Sequence, residues 1–229
     1  TSFLSLVANA SIDDPTAEVA IETSLGSTGR EYWSREVPEY VWPRGFGRGI
    51  LPQFAIEIIL AWYQLPEEER ERLFRATVQY HHAIQNWEPG SEIAALSHVW
   101  IGMEALTKLY RSSRASELGL DLRQLTERYA AERSAEIGRT VTFQSLNDLD
   151  AEIRRRHFFQ GDDRVYRLAK DASNSYEHSF SPLWEVREQA VNAVEPAASY
   201  LRQAILDQLV IGDEVKAMLL GPLFARPYN

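Results

Sequence analysis

The chain contains no cysteine among its 229 residues. Disulfides, zinc sites with thiolate ligands and cysteine nucleophiles are therefore excluded. This absence is consistent with a reducing compartment, and we predict a cytoplasmic protein. Residues 1–12 lack the basic flank and the apolar core of a signal peptide. The longest apolar run, residues 54–63, is interrupted by Glu57, so we predict no membrane span.

Basic charge is also scarce. The chain has 24 Lys and Arg against 33 Asp and Glu, which gives a formal net charge of −9. Such a field repels phosphate on average, and a protein that binds nucleic acid needs a local basic patch to overcome it. Hydrophobic residues make up 45% of the chain, so it can bury a core of its own.

Known metal and phosphate motifs are missing as well. None of the five histidines has an acid three residues before it, which excludes the Glu-x-x-His pairs of di-iron bundles. The metalloprotease motif His-Glu-x-x-His is absent too. The glycine-rich stretch 45–49 lacks the Lys-Ser/Thr ending of a phosphate-binding loop. We therefore predict no metal and no cofactor.

Apolar spacing predicts a mainly α protein with a short irregular or β arm at its N-terminus. The arm covers residues 1–50, in which 3–7 and 17–23 alternate well enough to form strands. A helical bundle follows over residues 51–212, and residues 213–229 form a C-terminal tail. The arm also carries aromatic side chains that we expect to dock on the bundle, namely Trp33, Tyr40, Trp42 and Phe46.

Helical periodicity and capping signals divide the bundle into seven segments. The predicted helices cover residues 54–65, 67–87, 93–110, 122–136, 145–158, 165–176 and 182–211. Residues 111–119 are expected to form a polar connection. Pro196 lies inside the last helix, and we expect it to kink or split that helix.

Two sets of side chains are candidates for ligand binding. Glu104 lies on the apolar face of its helix, and a buried acid needs a partner such as Lys108 or an upward shift of its pKa. Arg154, Arg155 and Arg156 form a basic cluster. The cluster is interpreted either as a salt-bridged surface or as a small phosphate-binding patch.

Residues 171–180, Asp-Ala-Ser-Asn-Ser-Tyr-Glu-His-Ser-Phe, form a third candidate just before the last long helix. His178 suits a capping contact, donation to a phosphate or general acid–base chemistry. The alternative is that His178 only fixes a loop.

Residues 94–106 read Ala-Ala-Leu-Ser-His-Val-Trp-Ile-Gly-Met-Glu-Ala-Leu. This helix resembles the small–Trp–x–x–x–Glu–x–Leu helix of the HEPN (higher eukaryotes and prokaryotes nucleotide-binding) family. Residues 173–178 lie where that family has its signature, and residues 200–206 are similar to its last helix. The resemblance covers residues 55–211 and implies a HEPN-like helical bundle that works as a homodimer.

Active HEPN proteins are metal-independent ribonucleases or nucleotidyl transferases, often in toxin or antiviral systems. Their motif is an Arg, a polar residue, three further residues and a His. His178 matches the His and Asn174 the polar residue, whereas Ser173 stands at the position of the Arg. In the family that Arg engages the scissile phosphate, so the resemblance implies a degenerate site without catalytic function.

We therefore predict a non-catalytic HEPN-like module of a bacterial defence or toxin-related system. It would self-associate and bind a nucleotide, RNA or protein, with Ser173, Glu104 and the arginine cluster as ligand-binding residues. One alternative is a metal-independent endoribonuclease in which His178 works with Asn174 and with Arg167 or the cluster. The other is a purely structural protein whose aromatic arm docks on a partner.

Overall fold

The computed structural model describes residues 2–9, 52–178 and 181–221. Within these ranges the chain forms nine α-helices, one π-helical turn and no strand, which confirms a mainly α protein. In order, the helices are α1 (Ser2–Ala8), α2 (Pro52–Tyr63), α3 (Glu67–Gln85), α4 (Glu92–Leu118), α5 (Leu122–Ile137), α6 (Leu146–Ile153), α7 (Asp163–His178), α8 (Leu183–Asp207) and α9 (Asp213–Leu219). The π turn (Arg154–Phe158) follows α6 directly. In the described ranges, no helix has both the length and the apolar character that a bilayer crossing requires.

Several helix ends follow from neighbouring residues in the sequence. α3 begins after Pro66 with three glutamates in its first turn, where the helix dipole favours negative charge. Asp121 and Gln124 form a reciprocal capping box at the start of α5. Gly119 ends α4 in the left-handed conformation (φ 63°), which glycine adopts without steric cost.

The prediction of a polar connection at residues 111–119 is wrong, because α4 continues to Leu118. Arg114 and Glu117 form an ion pair one turn apart on this stretch, with Nη1 and Oε2 at 2.9 Å. Ala115 and Leu118 pack against the core. Tertiary contacts thus extend the helix past the point at which its composition becomes polar.

The N-terminal segment also differs from the prediction. Residues 3–7, predicted as a strand, belong to α1, and residues 5–9 are buried. The short apolar run of α1 is compatible with either secondary structure, and its packing against α2 and α3 favours the helix. The other predicted strand, residues 17–23, lies outside the described residues, and so do the aromatic side chains of the arm.

Arg202 on α8 holds both ends of the described chain to the bundle. Its side chain is 2% exposed, and its guanidinium donates to the carbonyl oxygens of Leu6 (2.8 Å), Val7 (3.2 Å) and Leu219 (2.6 Å). Carbonyls at the ends of helices lack intrahelical partners, so a cation there is favoured. Residues 213–219 of the predicted tail accordingly form α9, which buries Leu219. Residues 222–229 of the tail lie outside the described residues.

The last long helix is not split. α8 runs from Leu183 to Asp207 without a break at Pro196. A proline removes one N–H donor from the ladder, whereas Ala193 and Ala197 on either side of it are fully buried. Packing of this face against α4 and α7 keeps the helix continuous.

α4 lies between α3 and α8 and makes its closest approach at Gly102. A Cβ atom added to Gly102 would lie 2.8 Å from Cδ2 of Leu201 on α8 and 3.4 Å from Cβ of Gln79 on α3. Leu201 is fully buried, so it has little room to move away. The absence of a side chain at this position therefore allows three helices to meet.

We expect Gly102→Val to lower the free energy of unfolding by about 2–3 kcal/mol, because its methyl groups overpack the seam between α4 and α8. Urea denaturation followed by circular dichroism measures the change. Ile101→Val is the matched control on the same helix, since Ile101 is 44% exposed; we expect it to change stability by less than about 0.5 kcal/mol. Equal stability of Gly102→Val and the wild type would contradict the close packing.

Candidate functional site

The three candidate catalytic side chains all lie on α7. The described part of the candidate segment 171–180, residues 171–178, belongs to the same helix. Asn174 is half-buried and His178, one turn later, is exposed. Arg167 precedes His178 by about three turns, or about 16 Å along the helix axis. Its Nε atom donates to the carbonyl oxygen of Asp163 at 3.0 Å, towards the other end of the helix. The structure therefore does not bring Arg167 to His178.

Ser173, which the sequence resemblance aligns with the arginine of the HEPN motif, is 3% exposed. Its hydroxyl lies 3.4 Å from Oε1 of Glu177 one turn later. A buried, uncharged hydroxyl lacks the five donors and the positive charge with which a guanidinium binds phosphate. Ser173 therefore offers neither a charge nor an exposed donor to a ligand.

The basic cluster lies in the π turn, and its three arginines face different surroundings. Arg155 is buried and binds both carboxylate oxygens of Glu152, with Nε–Oε2 at 2.9 Å and Nη2–Oε1 at 2.7 Å. It also pairs with Glu136 on α5 at 2.8 Å and with Asp163 on α7 at 3.1 Å. These charge-assisted bonds raise the pKa of Arg155, chiefly through Glu152. Arg155 therefore links α5, α6 and α7.

Arg156 points towards α5. It forms an ion pair with Glu132, and its guanidinium lies 5.9 Å from the centre of the Tyr129 ring. Next to it, Nε2 of His157 lies 2.8 Å from the hydroxyl of Tyr129. Burial raises the pKa of Tyr129, so its hydroxyl stays protonated beside His157. This part of the cluster is a salt-bridged surface, as one of the two interpretations predicted.

Arg154 has a different environment from its two neighbours. Its guanidinium lies 5.1 Å from the ring centre of Trp100 on α4, which is within the range of a cation–π contact. Its Nε atom is buried without a hydrogen-bond partner, and Arg154 forms no ion pair with any described residue. The ring contact therefore holds an arginine whose donors are not used by the described part of the protein.

Arg154 lines a groove with a volume of about 900 Å³ between α3, α4 and α6. A groove of this size accommodates a small ligand or a short stretch of single-stranded nucleic acid. Ile101 and Ala105 on α4 form its apolar part. The charged and polar side chains of the groove are Glu68, Glu71, Arg72, Arg75, Gln79, Glu104, Lys108, Asn147, Asp150 and Arg154.

The groove is electrically balanced, in contrast to the chain as a whole. It has four basic side chains and four acidic ones, whereas the chain carries a net charge of −9. Arg72 is paired with Glu68 at 2.7 Å, and Asp150 is paired with Arg111 at 2.6 Å. Among the described residues, the other three groove cations form no ion pair: Arg75, Lys108 and Arg154.

Glu104 is exposed, which corrects the expectation that it is partly buried. It also forms no ion pair with Lys108, although both line the groove. The position of Glu104 on α4 faces the groove rather than the core formed by Leu106 and Met103. Glu104 and Arg154 are therefore the two predicted ligand-binding residues that the structure brings to one site.

The α3 side of the groove was not predicted from the sequence. Its residues follow helical spacing (68, 71, 72, 75 and 79), which also describes an ordinary solvated face. Nothing in this spacing indicates that α4 and α6 lie opposite. Arg75 and Lys108 can be assigned to one site only once the antiparallel packing of α3 against α4 is known. The sequence alone does not provide that contact.

Among the described residues, no group of three or more His, Asp or Glu side chains is arranged to hold a metal ion. Comparison of the chain with protein-family models, with curated proteins and with solved structures gives no match.

The environment of His157 predicts a pH dependence of stability. Burial, aided by the positive charges of Arg156 and Arg114, lowers the pKa of His157 to about 4. In the unfolded chain its pKa is about 6.5, so between these values only the unfolded state binds the proton. The free energy of unfolding therefore falls as the pH is lowered from about 6.5 to about 4.

We expect His157→Phe to reduce this loss, because phenylalanine keeps the ring packing without a titratable group. Urea unfolding of the wild type and of the variant at pH 7 and at pH 4.5 measures how much free energy of unfolding each protein loses. His178→Gln, which removes an exposed imidazole, should retain the wild-type pH dependence. An unchanged pH dependence in His157→Phe would show that another group causes the acid loss.

Proposed function

We propose that the chain is a non-catalytic HEPN-like binding module whose ligand, a nucleotide or single-stranded RNA, binds in the groove through its phosphate. The observation that carries the proposal is the state of Arg154. Its guanidinium lines the groove, is held against the Trp100 ring and forms no ion pair with a described residue, so its charge is available to an incoming phosphate. Charge-assisted hydrogen bonds to phosphate are stronger than neutral ones.

The rest of the groove supports the same ligand chemistry. Arg75 and Lys108 can neutralise further phosphate charge, since neither forms an ion pair with a described residue. Glu104 can accept hydrogen bonds from ribose hydroxyls or from the amino groups of a base. Ile101 and Ala105 offer an apolar surface to the base or sugar.

The state of the HEPN motif favours binding over cleavage. Ser173 supplies no charge and is buried, and the side chain of Arg167 is directed away from His178. Metal-independent RNA cleavage needs an acid–base group and a phosphate-binding cation at the same phosphate. For the endoribonuclease alternative, α7 therefore provides His178 but no described cation beside it.

We expect Arg154→Ala to weaken binding of a labelled single-stranded RNA by about tenfold or more, because a charge-assisted contact contributes about 1.5–3 kcal/mol. Fluorescence anisotropy at several salt concentrations measures both affinity and salt dependence. Loss of one phosphate contact should reduce the slope of log K against log salt by about 0.7. Competition with 5′-AMP distinguishes a nucleotide site from one that needs a longer strand.

Arg123→Ala is the matched control, because it removes the same charge from α5, where Arg123 is 86% exposed and paired with Glu127. Its affinity and salt slope should equal those of the wild type. Equal weakening by both variants would indicate only a general charge effect and would contradict the groove. The RNA should also be recovered intact; cleavage by the wild type that His178→Ala abolishes would instead favour the endoribonuclease.

Self-association is a second function that a separate surface favours. Four large apolar side chains are exposed near the end of α7 and along the first half of α8: Tyr176 (51%), Leu183 (65%), Trp184 (69%) and Val191 (50%). Contiguous exposed apolar surface is typical of protein–protein interfaces, in which Tyr and Trp are enriched. This α7–α8 apolar surface includes Tyr176, which lies within the α7 segment that resembles the HEPN signature.

We expect Trp184→Glu to convert a homodimer into a monomer, because a charge in the centre of an apolar interface loses its hydration without a partner. Sedimentation velocity over a range of protein concentrations measures the equilibrium. Leu60→Glu, at a residue that is 56% exposed on α2, is the control and should remain dimeric. Dissociation by Leu60→Glu alone would place the interface on α2 instead.

A further inference from the structure

Two histidines on neighbouring helices form a second polar cluster beside the groove. His82 lies near the end of α3 and His98 lies in α4, and their ring centres are 5.3 Å apart with planes inclined by 41°. Both side chains are half-buried. The two rings are thus close together, and neither is fully enclosed by the protein. We call them the histidine pair.

The orientation of each ring is set by a glutamine. Nδ1 of His98 lies 2.8 Å from Oε1 of Gln79, and Nδ1 of His82 lies 3.1 Å from Oε1 of Gln85. An amide oxygen only accepts, so both Nδ1 atoms carry the hydrogen and both Nε2 atoms carry the lone pair in the neutral rings. Metal-binding histidines have this arrangement, in which a carbonyl or carboxylate oxygen accepts from the second ring nitrogen.

The separation of the rings fits a shared ion. With a metal–nitrogen distance of about 2.1 Å, the ring centre of a bound imidazole lies about 3.2 Å from the metal. Two such rings with centres 5.3 Å apart subtend an angle of about 110° at the metal, which is the tetrahedral value. The distance between the ring centres therefore matches that of two imidazoles bound to one ion.

We propose that His82 and His98 bind a divalent transition-metal ion of the Zn²⁺ or Cu²⁺ type through their Nε2 atoms. Imidazole ligands suit both ions. Because the described residues offer no third acidic or histidine ligand, the other positions are taken by water or by an exchangeable ligand. A site with open positions binds reversibly, in contrast to a closed four-ligand structural site.

The histidine pair lies next to the groove, but the proposed metal site does not depend on ligand binding in the groove. Gln79 lines the groove and also fixes the ring of His98, so the metal site lies at one end of the groove. The sequence-based prediction of no metal relied on motifs within one helix. The pair escapes such motifs because its ligands come from two helices, 16 positions apart.

Tag-free protein, stripped of metal with EDTA and dialysed, is titrated with ZnCl₂ by calorimetry and loaded with CuSO₄ for electron paramagnetic resonance. We expect one ion per chain and nitrogen superhyperfine splitting from two imidazoles. His82→Ala and His98→Ala should each weaken Zn²⁺ binding by more than about 100-fold, because loss of a ligand exceeds the 10–100-fold cost of losing an outer contact.

Two further variants separate the site from other causes. Gln79→Leu removes only the hydrogen bond to His98, and we expect about 10–100-fold weaker binding with two nitrogens still bound to Cu²⁺. His178→Ala removes an exposed imidazole from α7 and should bind as the wild type does. Circular dichroism in EDTA verifies that each variant is folded, and His82→Gln and His98→Gln replace any alanine variant that is not.

Unchanged Zn²⁺ affinity in the folded double variant, with His82 and His98 both replaced, would overturn the proposal. A Cu²⁺ spectrum of the wild type with fewer than two coupled nitrogens would also overturn it. Because no nucleotide or RNA is present in these measurements, their outcome is independent of ligand binding in the groove.

Discussion

The close packing of α4 against α3 and α8 at Gly102 is the constraint on which the site depends. A Cβ atom at this position would lie 2.8 Å from Cδ2 of Leu201 and 3.4 Å from Cβ of Gln79, so glycine allows α4 to lie close to both α8 and α3. Once α4 is fixed there, Ile101 and Glu104 on either side of Gly102 are exposed to the groove. The groove is the space that this packing leaves between α3, α4 and α6, and the histidine pair lies on the same α3–α4 contact.

The π turn gives the groove its distinctive cation. π-helical turns change the direction of successive side chains relative to an α-helix and are often found at functional sites. Here the side chains of three consecutive arginines point in different directions. Arg155 is surrounded by acidic side chains of α5, α6 and α7, and Arg156 forms an ion pair with Glu132 on α5. Of the three, only Arg154 faces Trp100 and the groove. An acidic protein thereby presents an unpaired guanidinium at a locally neutral surface.

The sequence predicts the helices and their ends where the signals are local, as in the capping box of Asp121 and the glycine end of α4. It fails where distant contacts decide, as in α1, whose carbonyls are bound by Arg202 about 200 positions later. The same limit applies to the site. Glu104 and Arg154 were identified because each is locally unusual, whereas Arg75 and Lys108 become part of a site only through the antiparallel packing of α3 and α4.

The most direct test of the groove is a titration of ¹⁵N-labelled protein with 5′-AMP, followed through the indole N–H signals of its six tryptophans. Trp100 lies beneath Arg154, whereas Trp184 is exposed at the start of α8. If the nucleotide phosphate binds Arg154, the Trp100 signal shifts saturably and the Trp184 signal does not. A saturable shift confined to Trp184, or no shift of any indole, would contradict the groove as the ligand site.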